Sequence, residues 1–534
     1  MPTDCIPFKD TNYFSQLICD YLEENQNLKP FYHRFPTVEA FKQQIEEKQP
    51  QVSLANRKVL VEALEQQCQS LGLSESTQQN IQALEDENTF TITTGHQLNL
   101  FTGPLYFFYK IVSAINLCSE LKEAYPEYNF VPVYWMATED HDFEEINYFN
   151  FNGKKIKWSR VSSGAVGELD LEGLDAVKEV FASQLNTSNN AKRLKELFKK
   201  AYLEHANLTD ATRFLVNEFL GEYGLVIVDG SDHNLKQLFV PYMEDELLQQ
   251  SSFKNVSETN AQINALPENY KIQVNPREIN LFYITEGLRE RIVELDGKYS
   301  VYGTEITWNK EAIVKELHEY PERFSPNVIM RPLYQEVILP NLCYIGGGGE
   351  LAYWFQLKSN FEAHKVTFPI LLLRNSVLLA TEKQQEKLEK LQLSMADLFL
   401  NQEDLVSKVT KSISEVDIDF STQKKHLEQQ FKDLYKLAEK TDSTFLGAVG
   451  AQERKQIKGL EYLEKRLLKA QKRKLSDHLD RVVQLQNELF PNQSLQERNT
   501  NFSQFYLEFG DQLIHQLIVN LQPLKKEFII LNLE

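Results

Sequence analysis

Cysteine is scarce in this chain: Cys5, Cys19, Cys68, Cys118 and Cys343 are the five in 534 residues. An odd number without C-x-x-C spacing offers neither a disulfide framework nor a zinc-type ligand set. Most of them sit in apolar helical or strand patterns, where buried free thiols are expected. Basic residues are also short, 57 Lys and Arg against 76 Asp and Glu, for a formal net charge of −19. That balance argues against a general nucleic-acid binder, because counterion release rewards a basic face. No apolar run reaches the roughly 20 residues of a membrane-spanning helix. The start Met1-Pro2-Thr3-Asp4-Cys5 lacks the basic region and apolar core of a secretory leader. The expectation is a cytoplasmic protein with no membrane partner and no nucleic-acid partner. The G-x-x-x-x-G-K-[ST] phosphate loop is missing too.

A chain this long exceeds what one hydrophobic core usually serves, so a main domain with insertions or appended modules is expected. Residues 1–88 read as helices joined to that domain, with Phe14, Ile18, Tyr21 and Leu22 at helical spacing. The pattern changes at the β-branched run Thr89-Phe90-Thr91-Ile92-Thr93-Thr94, which stops at Gly95 and is followed by a helical stretch from about 104 to 123. The strand 130–136 comes next and completes a parallel βαβ unit. Further apolar runs at 225–228, 342–345 and 369–373 predict strands covered on both faces. The fold class is therefore α/β: a Rossmann-like parallel sheet core over 89–376, interrupted by insertions at about 150–215 and 250–325. From 377 to 495 the composition turns Leu-, Lys-, Glu- and Gln-rich. Leu427, Phe431, Leu434 and Ala438 keep one helical stripe, and Leu468, Leu475, Val482 and Leu489 keep a seven-residue track. Gly447-Ala448-Val449-Gly450 is read as the break between two helices of an antiparallel coiled coil. Its second helix is locally basic, with ten Lys and Arg against five Asp and Glu in 451–481, and a homodimer through the Leu475 and Val482 seam is expected. Residues 496–534 return to the core through a strand at 527–531.

Ligands of open α/β sheets bind beyond the carboxyl ends of the strands. After the first strand stand Gly95, His96 and Gln97, then Thr102, Gly103, Pro104 and Tyr106. After the second come Thr138, Glu139, Asp140, His141 and Asp142, and after the third Asp229, Gly230, Ser231, Asp232 and His233. Any one of these could be an ordinary cap or loop residue. The coincidence at three consecutive ends points to a site, and the carboxylates crowding His141 suit it to proton transfer or to a cationic amine. A metal site from His96, His141 and these carboxylates competes with that reading, but the spacing matches no closed ligand motif, so no metal is assigned. Downstream lie Arg331-Pro332-Leu333-Tyr334-Gln335-Glu336 and Gly346-Gly347-Gly348-Gly349-Glu350. Gly347, Gly349 and Ala352 satisfy G-x-G-x-x-A, but Glu350 at the helix start opposes a pyrophosphate, and Arg374-Asn375 replaces the acid expected for a ribose. A plain tight turn is the alternative.

Taken together, the blocks 94–106, 137–145, 331–336 and 344–350 resemble the BshC family of bacillithiol biosynthesis, over nearly the whole chain. The resemblance implies a Rossmann-type core with connecting-peptide insertions and a coiled coil that pairs two subunits. It also implies a ligase that joins cysteine to glucosaminyl-malate through an amide bond. Family members commonly carry Gln where this chain has His96 and Pro where it has Gly348. Amide formation needs a carboxylate anchor, oxyanion donors and a base. Arg331 and Lys110 are candidate anchors, and the N–H groups of Gly95 to Gln97 and Gly346 to Gly349 are candidate oxyanion donors. His141, flanked by Asp140 and Asp142, is the candidate base, and Glu350 is placed to hold an ammonium. Thr102, Gly103, Tyr106, Asp229, Tyr334 and Gln335 complete the substrate-binding set. The mode of carboxylate activation stays open, with ATP or another nucleotide as the cofactor to test. A metal-dependent hydrolase or nucleotidyltransferase and a non-catalytic coiled-coil scaffold are the alternatives.

Overall fold

The computed structural model describes residues 4–533. The chain divides into two compact units, one of residues up to 379 together with 496–533, the other of residues 380–495.

The first unit is built on β1 (Thr89–His96), α1 (Tyr106–Ala124), β2 (Asn129–Met136), β3 (Val226–Asp229), α2 (His233–Gln249), α3 (Arg331–Ile338), β4 (Asn341–Gly346), α4 (Gly348–Trp354) and β5 (Ile370–Leu373). Among the described residues these strands form a five-stranded sheet in the order β5-β4-β1-β2-β3. All four pairings are parallel. The chain lays down β1, moves outward to β2 and β3, then returns to the other side of β1 for β4 and β5. The order therefore reverses between β1 and β4, and in sheets of this kind ligands bind beyond the strand ends at such a switch point. The strands read as apolar runs because both faces are covered: Phe90, Ile92, Leu342, Ile345, Ile370 and Leu372 pack with Ala114, Leu117 and Leu121 of α1. Further along the same face Tyr134, Met136 and Ile227 join Phe107, Phe108 and Ile111 of the same helix, and on the opposite face the Trp135 ring stands 5.4 Å from that of Tyr334 of α3. Helix α1 is buried around most of its circumference, as a helix apolar on nearly every side must be. The threonines of β1 survive burial because they are hydrogen-bonded: Thr91 and Thr93 donate to Asn341 Oδ1 at 3.2 and 2.8 Å, and Thr94 to the Ile345 carbonyl at 2.7 Å.

The first insertion is a hairpin of Tyr148–Phe151 and Lys154–Lys157 followed by helices Leu174–Gln184, Asn189–Leu203 and Leu208–Leu220. The second carries an antiparallel sheet whose inner strands are Leu281–Thr285 and Leu288–Leu295, with Phe324–Pro326 on one edge. The stretch read as wholly helical begins with a strand, Asp4–Pro7, antiparallel to Glu527–Leu533. That second strand also borders Val377–Thr381. Three cysteines are buried, while Cys5 and Cys19 are partly exposed, and all five are free. Among the described residues no helix is long and apolar enough to cross a membrane.

The second unit contains α5 (Gln402–Ile413), α6 (Ser421–Ala438), α7 (Ser443–Lys474) and α8 (Ser476–Leu489). Helices α6 and α7 run antiparallel, with Lys424 against Glu464 at 2.6 Å and Tyr435 against Glu453 at 2.7 Å. Phe431, Ala438 and Val449 form their buried seam. The turn falls at 439–442 and not at Gly447–Gly450, which lies inside α7. Asp442 starts α7 by accepting from the N–H groups of Thr444 and Phe445, both at 2.9 Å. Gly450 has a packing role instead: a Cβ there would stand 3.1 Å from the Tyr435 hydroxyl. The seven-residue track is also interrupted, since α7 ends at Lys474 and Leu475 leaves helical geometry with ψ 15°. Beyond that break Val482 and Leu489 are fully buried within the unit. Gln486 beside them donates to the carbonyls of Leu398 and Leu400 at 3.0 and 2.7 Å. Val482 thus belongs to a core and cannot serve as an intermolecular seam.

Candidate functional site

Polar side chains gather where the strand order reverses between β1 and β4. His96, the last residue of β1, is 8% exposed. Its Nδ1 lies 2.8 Å from the Gln97 carbonyl, so the ring proton is there and Nε2 carries the lone pair. Among the described residues that buried Nε2 has no hydrogen-bond partner. Burial first, and nearby Lys110 second, push its pKa down to about 3. The rings of Tyr106 and Phe107 stand 5.3 and 5.1 Å away.

Lys110, the second candidate anchor, lies on α1 beside His96. It is buried, donates to the Gly95 carbonyl and pairs with Glu350 at 2.7 Å. Burial lowers its pKa against the pull of Glu350. Glu350 accepts in turn from the Gly347 N–H and the Tyr344 hydroxyl, both at 2.8 Å. Burial works against its charge, but Lys110 and these donors outweigh it and hold the carboxyl below its ordinary value. The two groups expected to hold a substrate carboxylate and a substrate ammonium therefore hold each other. The expected oxyanion set also shrinks, because the Gly347 N–H is spent on Glu350. Gly348 and Gly349 open α4, and Gly349 is exposed.

Arg331 opens α3 and is different. Its Nη1 donates to Gln335 at 3.0 Å, and its guanidinium sits 5.7 Å from the ring centres of Trp135 and Tyr344. Its Nη2 is buried and, among the described residues, has no close hydrogen-bond partner, although, against burial, the Tyr353 and Tyr344 hydroxyls act on the guanidinium and raise its pKa. Arg374, just beyond β5, is held by Glu497 at 2.7 Å with both side chains buried, and lies 5.0 Å over the Tyr106 ring. Of these two, Arg374 entered the sequence reading only as evidence against a dinucleotide, and Glu497 not at all.

The loop after β2 forms the second half of the site. Asp140 Oδ1 accepts from the N–H groups of His141 and Asp142 at 2.7 and 3.4 Å. Its Oδ2 accepts from Gln97 at 2.9 Å, and the same amide reaches Glu145 at 2.9 Å. Gln97 thus ties the first strand end to the second. Thr138 ties the second to the third by donating to Asp229 at 2.6 Å. Glu139 pairs with the fully buried Lys236 at 2.6 Å and accepts from Ser325 at 3.0 Å. His141 is exposed, and its ring nitrogens stand 3.8 Å from Asp140 and 3.9 Å from Asp142. Its Nδ1 accepts from Arg289 of the second insertion, whose guanidinium lies 4.0 Å over Phe282. The ring proton of neutral His141 is therefore on Nε2, and the residue read as a base presents a donor.

Tyr334 and Gln335 are buried braces: Tyr334 donates to the Gly230 carbonyl at 2.8 Å, and Gln335 accepts from Arg331 while donating to Glu336 at 2.9 Å. Thr102 and Gly103 form a turn at φ 66° and 64°, and the Asn501 amide donates to the Phe101 and Gly103 carbonyls. A Cβ at Gly103 would meet that of Asn99 at 2.7 Å, which explains the glycine. Among the described residues no group of three or more His, Cys, Asp and Glu is arranged to hold a metal ion.

Comparison with known proteins bears on this geometry. The family description "Bacillithiol biosynthesis BshC, N-terminal Rossmann-like domain" matches residues 1–375. "Bacillithiol biosynthesis BshC, C-terminal coiled-coil domain" matches residues 377–533. The chain is 60% identical over 535 residues to a protein of Christiangramia forsetii, covering 99% of each. It is 58% identical to one of Flavobacterium johnsoniae over 100% of each. A Bacillus cereus (strain AH187) protein is 30% identical over 94% of this chain and 95% of its own. All three carry the name "Putative cysteine ligase BshC".

Proposed function

The chain belongs to the BshC family of bacillithiol biosynthesis, and from that premise we propose that it is a ligase that joins L-cysteine to glucosaminyl-malate through an amide bond. The observation that carries this reading is Arg331 Nη2, a buried guanidinium nitrogen that, among the described residues, forms no ion pair and has no close hydrogen-bond partner, at the point where the strand order reverses. A buried cation is costly unless an anion meets it, and a planar guanidinium suits a carboxylate. Glucosaminyl-malate brings carboxylates, and cysteine brings another.

The remaining roles follow from the donors and acceptors. Arg331, braced by Gln335, anchors a substrate carboxylate. His141, with its proton on Nε2, donates toward the oxygen that gains charge as the amine adds to the carboxyl carbon. Asp140 holds the loop that carries it. Amide formation from an amine and a carboxylate must expel the equivalent of water, so the carboxyl group needs a leaving group. A nucleotide such as ATP is the reagent to test for that activation.

A homodimer belongs to the same proposal. With Val482 assigned to a core, its surface is the α6–α7 hairpin, where Leu437, Phe445, Tyr462 and Leu463 are exposed by 43% or more.

The experiment incubates purified protein with cysteine and glucosaminyl-malate, with and without ATP, and follows the mass of the products. The expected result is a species heavier than glucosaminyl-malate by one cysteine less one water. Its absence from every arm refutes the proposal.

A further inference from the structure

Resting on the ligase reading, we infer that His96 Nε2 accepts a hydrogen bond from the substrate amine and selects that amine in its neutral, nucleophilic form.

Three observations place the acceptor. The bond from Nδ1 to the Gln97 carbonyl at 2.8 Å leaves the lone pair on Nε2. Nε2 is buried and, among the described residues, has no hydrogen-bond partner, on a residue 8% exposed. An acceptor left in that state is costly, and a ligand donor recovers the loss. Finally, His96 ends β1 where the strand order reverses between β1 and β4, the place at which ligands of such sheets bind.

The surroundings decide which donor fits. The charged groups facing the ring are Lys110 of α1, Glu350 of α4 and Arg374 beyond β5, and Tyr106 of α1 packs on it. Glu350 is paired with Lys110 and Arg374 with Glu497, so neither carboxylate is free to neutralise an arriving ammonium. Arg331, which also acts electrostatically on Lys110, adds a cation with no carboxylate partner among the described residues. An ammonium entering this field is repelled, whereas a neutral amine donates one N–H to Nε2 and keeps its lone pair for attack. His96 is too weak a base here to remove the proton itself, since burial holds it neutral far below its ordinary range. Its part is to choose and orient the nucleophile.

The test has a binding readout and a kinetic one. In protein labelled with ¹⁵N-histidine, the His96 Nε2 resonance should be of the unprotonated type and should move when glucosaminyl-malate is added without cysteine or ATP. His96→Gln keeps an acceptor and should retain kcat/KM for the amine substrate within a few-fold, while His96→Leu should lose about ten- to hundredfold. An unmoved Nε2 resonance in wild-type protein that makes product overturns the inference and leaves the ligase reading standing. So does a folded His96→Leu with wild-type kcat/KM. If His96→Leu fails to fold, the resonance in the wild type decides alone. Absence of product from the wild type in every arm refutes the ligase reading instead.

Discussion

Arg289 donates to Nδ1 of His141, so a residue of the second insertion sets the tautomer of a histidine on the loop after β2. His96 has the opposite tautomer, with Nδ1 the donor. One imidazole thus offers an acceptor at Nε2 and the other a donor. Arg289→Leu should free the His141 ring to choose either tautomer and lower kcat by about tenfold, with KM nearly unchanged, because a transition-state donor is misplaced while binding contacts remain. His141→Ala should abolish product in a folded protein. Steady-state kinetics with circular dichroism check both, and wild-type kcat in both variants would remove His141 from the chemistry.

Arg331→Lys tests the anchor. A compact ammonium cannot reproduce a two-pronged carboxylate contact, nor rest between the Trp135 and Tyr344 rings. The expected outcome is a rise of at least about tenfold in KM for glucosaminyl-malate. Unchanged saturation by that substrate would make Arg331 a structural residue.

Acid should weaken the folded chain through His96. Its folded pKa of about 3 lies below the ordinary 6.5, so between those values the unfolded chain holds a proton that the folded chain lacks. Stability therefore falls as pH drops through this window, by up to about 1.4 kcal/mol per pH unit and on the order of 4–5 kcal/mol in total. Glu350 adds to the acid loss in the same direction: its folded pKa is depressed, so its contribution, present above the unfolded value, disappears as pH falls through the folded one. Urea melts from pH 7 to pH 4 should show His96→Gln losing less stability than wild type. Parallel curves for the two proteins would contradict the buried neutral imidazole.

How much of this was legible depends on the range of the interaction. Strands β1 to β5 were legible because covering both faces imposes continuous apolar runs, such as Ile370-Leu371-Leu372-Leu373. Asp4–Pro7 was not, because a four-residue edge strand with one buried side chain has no period to read. The hairpin turn was misplaced because Gly450 was taken as a stop signal when it makes room for Tyr435, and the Asp442 cap went unread. Gly95 to Gln97 and Asp140 were legible as strand-end residues, and Gln97 does meet Asp140. The partners that set their chemistry lie far along the chain: Arg289 is 148 residues from His141, and Glu497 is 123 from Arg374. No local pattern carries such pairings. The pairing of Lys110 with Glu350 was hidden for the same reason, since the two are 240 residues apart.

The assembly prediction rests on where apolar surface remains after folding. Val482 is fully buried within its own unit, so Val482→Glu should unfold that unit by placing a charge in a core, and loss of dimer in that variant would say nothing about a subunit interface. Leu437 and Leu463 are 53% and 52% exposed on α6 and α7, so glutamates there meet water in a monomer and an apolar partner in a dimer. Light scattering at micromolar concentration should give a dimer mass for wild type and a monomer mass for the Leu437→Glu, Leu463→Glu double variant, with thermal stability of the isolated subunit little changed. The locally basic face of α7 should make association sensitive to salt in addition. A monomeric wild type would refute the dimer, and a double variant that stays dimeric would move the interface off the hairpin.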